Sequence, residues 1–283
     1  MDNDTNKIYG RKNIFFCGVS ILLLVILLFP VYWIVVTSLK TEQEIFQIPP
    51  TLFPKKLNLI SYASQLKSGD FNMFRSFGNS MFISLSCMII AVILSVPASY
   101  GLARYRFKGK ELCVLGFLIT QMLPVSVILT PMFIMFRNMH LINNPLSAIL
   151  ADATIGIPFS VLILKSYFAS IPGDIEEASY IDGCNRFTAF LRILVPIAYP
   201  GIIVCAVFSF LYAWGDLAYG MTFIQDQIRR PITSGIFNFM GQYGTKWSYL
   251  TAFAVVTIIP VVLIFIFMQK YLISGLTSGA VKG

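Results

Sequence analysis

Residues 170–200 read SIPGDIEEASYIDGCNRFTAFLRILVPIAYP, a polar interruption between two long apolar runs. Pro172 suits a first helical turn, and Asp174, Glu176 and Glu177 suit the positive N-terminal end of a helix. A short amphipathic helix is expected to about Ile181, where Asp182-Gly183 breaks it, because glycine takes a positive φ without steric cost. A second helix follows, with Phe187, Phe190, Leu191 and Leu194 on one side, and ends at Val195-Pro196. The product, over the connection 169–198, is a helix–turn–helix lying outside a bilayer, between two membrane spans. Ala178, Ser179 and Gly183 are small enough to let a soluble partner approach, and the carboxylates beside them offer a charged anchor. An amphipathic helix resting on the membrane surface would carry a similar apolar face, so composition alone leaves both readings open.

Outward from this stretch the chain is unlike a soluble domain. Its 283 residues are 57% hydrophobic and only 12% charged, with a mean hydropathy of +0.76. So few charges leave too little polar surface for a water-soluble fold, and lipid must be part of the solvent. Six spans are expected, at 14–36, 78–101, 112–136, 146–168, 199–221 and 250–270, each long enough for a ~30 Å hydrocarbon core. The fold class is therefore all-α, a polytopic membrane protein with its helix–turn–helix between spans 4 and 5. The run 14–36 follows Lys7, Arg11 and Lys12, and its length reads as a retained span rather than a cleaved signal. Pro97, Pro124, Pro131, Pro158 and Pro260 fall inside spans and suggest kinks.

The net charge of +8 sits in short loops beside apolar runs, a pattern of membrane topology rather than of nucleic-acid binding. Counting Lys and Arg on each side gives twelve against nine of the 21, in favour of the side holding both termini. The cluster Arg104 to Lys110 strengthens that choice, with termini inside. The five cysteines form no CxxC pair, and His140 is the single histidine, so metal sites and histidine-based catalysis lose their usual groups. The one Gly-Lys pair, Gly109-Lys110, lacks the glycine a phosphate-binding loop needs five positions earlier, which is Arg104. Any energy from ATP must therefore come from outside the chain. A membrane enzyme finds no nucleophile–base set here, and a selective channel finds no filter segment.

Glu177-Ala178-Ser179, Asp182-Gly183-Cys184, Phe190, Arg192-Ile193 and Val195-Pro196 closely resemble the EAA motif of ABC importer permeases. The family pattern has Glu-Ala-Ala, then a glycine, then Ile-x-Leu-Pro. Ser179, Cys184 and Val195 depart from it by small or apolar replacements. The resemblance extends over nearly the whole chain. Phe29-Pro30-Val31-Tyr32-Trp33 with Ser38-Leu39-Lys40, Ala213-Trp214-Gly215-Asp216, Arg230-Pro231-Ile232-Thr233 and the tail 275–283 are similar to carbohydrate permeases of the maltose-transporter type.

That resemblance implies a multi-pass subunit of the bacterial inner membrane with both termini cytoplasmic. The implied organisation is a tail at 1–13, a single permease domain at 14–274 and a C-terminal tail at 275–283. The implied partners are a second, different permease, an ATPase dimer carrying ATP and Mg, an extracytoplasmic sugar-binding protein and membrane lipid. Implied coupling residues are Glu176, Glu177, Ala178, Ser179, Asp182 and Gly183, with Glu177 as charged anchor and Asp182 capping the turn or second helix. Gly275, Gly279 and Lys282 are implied at the ATPase interface. Polar residues inside spans tend to face a cavity or another helix, so Asn79, Gln121, Asp152, Trp214 and Asp216 are the candidates for the substrate path. A superfamily relative for a polyamine, phosphonate or amino acid would share the EAA segment; the first-span and tail matches favour a sugar.

Overall fold

The computed structural model describes residues 2–67, 72–241 and 244–280. Along the chain run α1 (Asp2–Ser38), α2 (Glu42–Ile45), α3 (Ile60–Lys67), α4 (Met73–Arg104), α5 (Lys110–Met122), α6 (Val125–Asn138) and α7 (Pro145–Ser170). After them come α8 (Gly173–Ile181), α9 (Arg186–Ala189), a π-helical segment (Phe190–Leu194), α10 (Val195–Ile197), α11 (Tyr199–Gly215), α12 (Ala218–Phe223) and α13 (Ile232–Gly235). A two-residue ribbon, β1 (Met240–Gly241) against β2 (Gly244–Thr245), precedes α14 (Trp247–Ala280). The all-α expectation holds apart from that ribbon.

Among the described residues four helical stretches are long and apolar enough to cross a membrane unbroken: Phe16–Ser38, Met73–Arg104, Pro145–Ser170 and Trp247–Met268. Six crossings result only if two bent pairs each count as one. The span expected at 112–136 is one of these, since α5 and α6 meet at 101°. The cause is Pro124, which pushes Leu123 out of helical geometry to ψ 121°. The span expected at 199–221 stops at Gly215. There Asp216 turns extended, and its carboxylate collects the N–H groups of Tyr219 and Gly220 at the start of α12. Pro97, Pro158 and Pro260 lie within continuous helices. Helix runs on through 2–13 and through 275–280.

The chain divides into two compact units. One comprises residues 1–67 and 236–256, and the polar connection after the first span accounts for it. Lys40 is buried there, donating to the Thr51 carbonyl and lying over the Trp33 ring. Glu44 accepts from the Lys55 N–H and the Thr51 hydroxyl, both at 2.8 Å. Glu42 accepts from the Ser248 N–H and hydroxyl at 2.9 and 2.7 Å, and Gln65 donates to the Tyr249 carbonyl at 3.1 Å. The connection thus has a core of its own, made of caps and buried polar pairs.

The other unit, residues 68–235 and 257–283, is built around α4, α7 and α11. Small residues let these helices approach, as at Gly156 with Ala91 and Ser209, the usual means of packing helices when lipid removes the hydrophobic drive. Asn72, Asn144 and Asn185 cap α4, α7 and α9. Toward one end of the unit, Tyr100, Leu164, Phe168, Phe190, Leu194 and Cys205 make an apolar cluster. It is the floor on which the 170–200 segment sits.

Candidate functional site

The helix–turn–helix expected at 170–200 is present. Pro172 precedes α8, whose first turn holds Asp174 and Glu176, and α8 ends at Ile181. Asp182 closes α8, its N–H bonding to the Ala178 carbonyl, and Gly183 takes φ +85°, the left-handed conformation that the sequence assigned to it. The cap of the second helix is Asn185, whose side chain accepts from the Thr188 N–H at 2.8 Å and from the Thr188 hydroxyl at 2.9 Å. Asp182 therefore caps the turn and Asn185 the second helix. From Arg186 to Ile197 the chain is helical with a π-helical stretch in the middle, and it meets α11 at 75°. Extra-residue turns of this kind recur at functional sites.

The two faces of this hairpin differ. Inward, Ser179 is the one buried residue of α8, and Ala189, Phe190 and Leu194 are buried in the second helix. Outward stand Glu177, Ala178, Ile181, Asp182, Gly183 and Phe187. Ile181 is 88% exposed and Phe187 70% exposed, on either side of the left-handed Gly183. Two large apolar side chains thus stand exposed at the tip of a turn, with carboxylates beside them.

Glu176 and Glu177, adjacent in sequence, do different things. Glu177 is exposed and projects outward. Glu176 turns inward, where its Oε2 lies 3.2 Å from Arg104 Nε and its Oε1 accepts from the hydroxyls of Tyr100 and Tyr180, each at 2.7 Å. Desolvation and the Glu176 carboxylate push the Tyr180 phenol above its ordinary pKa, so it stays a donor. Arg104 also donates through Nη2 to the Ile171 carbonyl at 2.9 Å. The Tyr100 ring lies 4.7 Å from that of Phe190, and Arg186 stands over Tyr105. Sequence reading missed Tyr100 and Arg104 as site residues. The available signal was a tyrosine and an arginine one helical turn apart at the end of a span, facing a carboxylate-rich loop.

With that geometry in view, residues 95–278 match the family of binding-protein-dependent transport system inner membrane components. The chain belongs to that family. The permease is 33% identical over 278 residues to the sulfoquinovosyl glycerol transport system permease protein SmoH of Agrobacterium fabrum, covering 98% of this chain and 96% of that one. It is 28% identical over 264 residues to the diacetylchitobiose uptake system permease protein DasC of Streptomyces coelicolor, covering 93% and 95%. Among solved structures, a bacterial ABC transporter involved in import of the acidic polysaccharide alginate shares the fold. Its TM-score is 0.78 at 20% identity, covering 96% of this chain and 99% of that one. The permease is thus a multi-pass inner-membrane transport subunit.

The candidates for the substrate path are dispersed and mostly engaged. Asn79 donates to the carbonyls of Ile228 and Arg230 at 2.9 and 3.2 Å. Gln121 donates to the Ile155 carbonyl at 3.1 Å, tying α5 to α7. Trp214 is buried; its indole donates to the Thr257 carbonyl at 3.1 Å, and its ring stacks on Phe210 and meets Phe77 edge-on. Asp216 caps α12. Asp152 is only 1% exposed, and neither of its carboxyl oxygens has a hydrogen-bond partner. The structure brings Asp152 within electrostatic reach of Asp216. Of the tail positions, Gly275 and Gly279 lie in the backbone of α14, and Lys282 lies outside the described residues.

Proposed function

We propose that this permease forms half of the translocation path of an ABC importer for a sugar or oligosaccharide, and that its 170–200 hairpin couples the path to a separate ATPase dimer. The observation that carries the reading is the outward tip of the hairpin, where exposed Ile181 and Phe187 flank Glu177, Ala178 and Gly183. In this reading Glu177 is the charged anchor to the ATPase, Ala178 and Gly183 are the positions of close approach, and Glu176, Ser179 and Asp182 hold the hairpin's shape. Closing of the ATPase dimer on ATP favours one of two packed arrangements of the helices by differential contact energy. The sugar class is supported by relatives whose names specify sulfoquinovosyl glycerol and diacetylchitobiose.

The assembly proposed contains a second, different permease, an ATPase dimer holding ATP and Mg, and an extracytoplasmic sugar-binding protein. The hairpin and both termini lie on the cytoplasmic side, with Gly275, Gly279 and Lys282 at the ATPase interface. Of the path candidates, Asn79, Gln121, Trp214 and Asp216 are held by hydrogen bonds to backbone groups in the present arrangement, and Asp152 meets solute or water when the helices part. The deciding experiment is Glu177→Lys in the full transporter. Loss of ATPase co-purification and of uptake, with the permease still in the membrane, is expected; retained co-purification and normal uptake overturn the reading. Calorimetry on the solute-binding protein encoded beside this chain tests the substrate class, and a peptide or metal ligand there removes the sugar assignment.

A further inference from the structure

The helix α8 has nine residues and buries only one of them, Ser179. A helix that short is marginal in isolation, and a single buried serine supplies almost no apolar burial to fix it in place. What fixes it is polar. Glu176 is bound to Arg104 and Tyr100, and Arg104 reaches past it to the Ile171 carbonyl at the end of α7. The second helix of the hairpin attaches to the same point, through Phe190 against the Tyr100 ring. Both halves of the hairpin therefore meet at the last turn of α4, and the second helix rests on Phe168 of α7 as well.

We propose that Arg104 and Glu176 are positioning residues that make α8 and the end of α4 move as one body, so that displacement of the hairpin is delivered to α4. This rests on the reading of the hairpin as the ATPase dock, and gives that dock a transmission partner inside the chain. The pair is only partly screened from water, with side chains 17% and 13% exposed. The Arg104 Nε–H is not aimed along the Glu176 oxygen, so the link is an ion pair held by proximity and by the two tyrosine hydroxyls. Neutralising Glu176 removes the charge and keeps the shape.

The test uses the full transporter, with nitroxides at Asp174→Cys on α8 and Ile93→Cys on the exposed face of α4, the exposed native cysteines being replaced by serine. Distance distributions are recorded without nucleotide and with ATP and vanadate. In the parent protein the α8–α4 distance stays the same in both states. Glu176→Gln widens the distribution at least twofold and makes it nucleotide-dependent. Arg104→Gln does the same, and the double variant adds nothing further. An unchanged width in Glu176→Gln, or a nucleotide-dependent distance in the parent, overturns the proposal. Failure of the dock itself reads differently, as ATPase that stays bound to Glu177→Lys.

Discussion

Gly156 and Ser209 meet closely: a β-carbon on Gly156 would stand 3.1 Å from the Ser209 Oγ and 3.4 Å from its Cβ, so the serine would have to give way. This is the point where α7 crosses α11. Gly156→Val should destabilise the permease by about 1–3 kcal/mol through overpacking. Thermal unfolding in detergent measures it, and Ser209→Gly should recover most of the loss in Gly156→Ala. An equal loss with and without Ser209→Gly would place the strain elsewhere.

Gly183 sits at φ +85° with nothing within 4 Å of an added β-carbon, so the cost of replacing it in the free chain is conformational. A β-branched residue in that left-handed position loses roughly 1–2 kcal/mol or more, whereas asparagine tolerates it. Gly183→Asn should retain more uptake than Gly183→Val, with both present in the membrane at parent levels. If both abolish uptake alike, steric approach by the ATPase outweighs the backbone.

Asn185 holds the second helix of the hairpin by its Thr188 bonds. Asn185→Ala should cost about 1 kcal/mol, and Asn185→Asp should retain the cap. Amide exchange should speed up at 186–189 and stay unchanged at 173–181.

Glu44 gives a pH dependence. The Lys55 N–H is the chief cause holding its carboxyl below the ordinary range, helped by the Thr51 hydroxyl. A folded-state value below the unfolded one contributes stability above the unfolded pKa and loses it as pH falls through the folded one. The 41–56 segment should therefore become more susceptible to proteolysis as the medium is acidified through the lower carboxylate range. Glu44→Gln should be more susceptible at neutral pH, with the acid-dependent step reduced.

The hairpin was legible in sequence because its signals are local: Pro172 before α8, Gly183 in the turn and Pro196 near the end. Leu123 and Pro124 show where such reading stops. The apolar run passes straight through them, so hydropathy joined two helices that the pre-proline geometry turns by 101°. Glu176 and Glu177 show the other limit. Which of two neighbouring carboxylates faces inward depends on the rotation of α8 relative to Arg104, far away in the chain. Trp214 and Asp216 read as substrate-path candidates because they are polar groups in an apolar run, and in the fold the indole bonds to α14 and the carboxylate caps α12.

Asp152 carries a thermodynamic consequence. Its carboxyl was removed from water and received no hydrogen bond in exchange, so the packed arrangement bears a penalty that any hydrated arrangement escapes. One side chain thus holds the packed bundle below the stability its helices would otherwise reach. Replacing it with leucine would make a sturdier molecule.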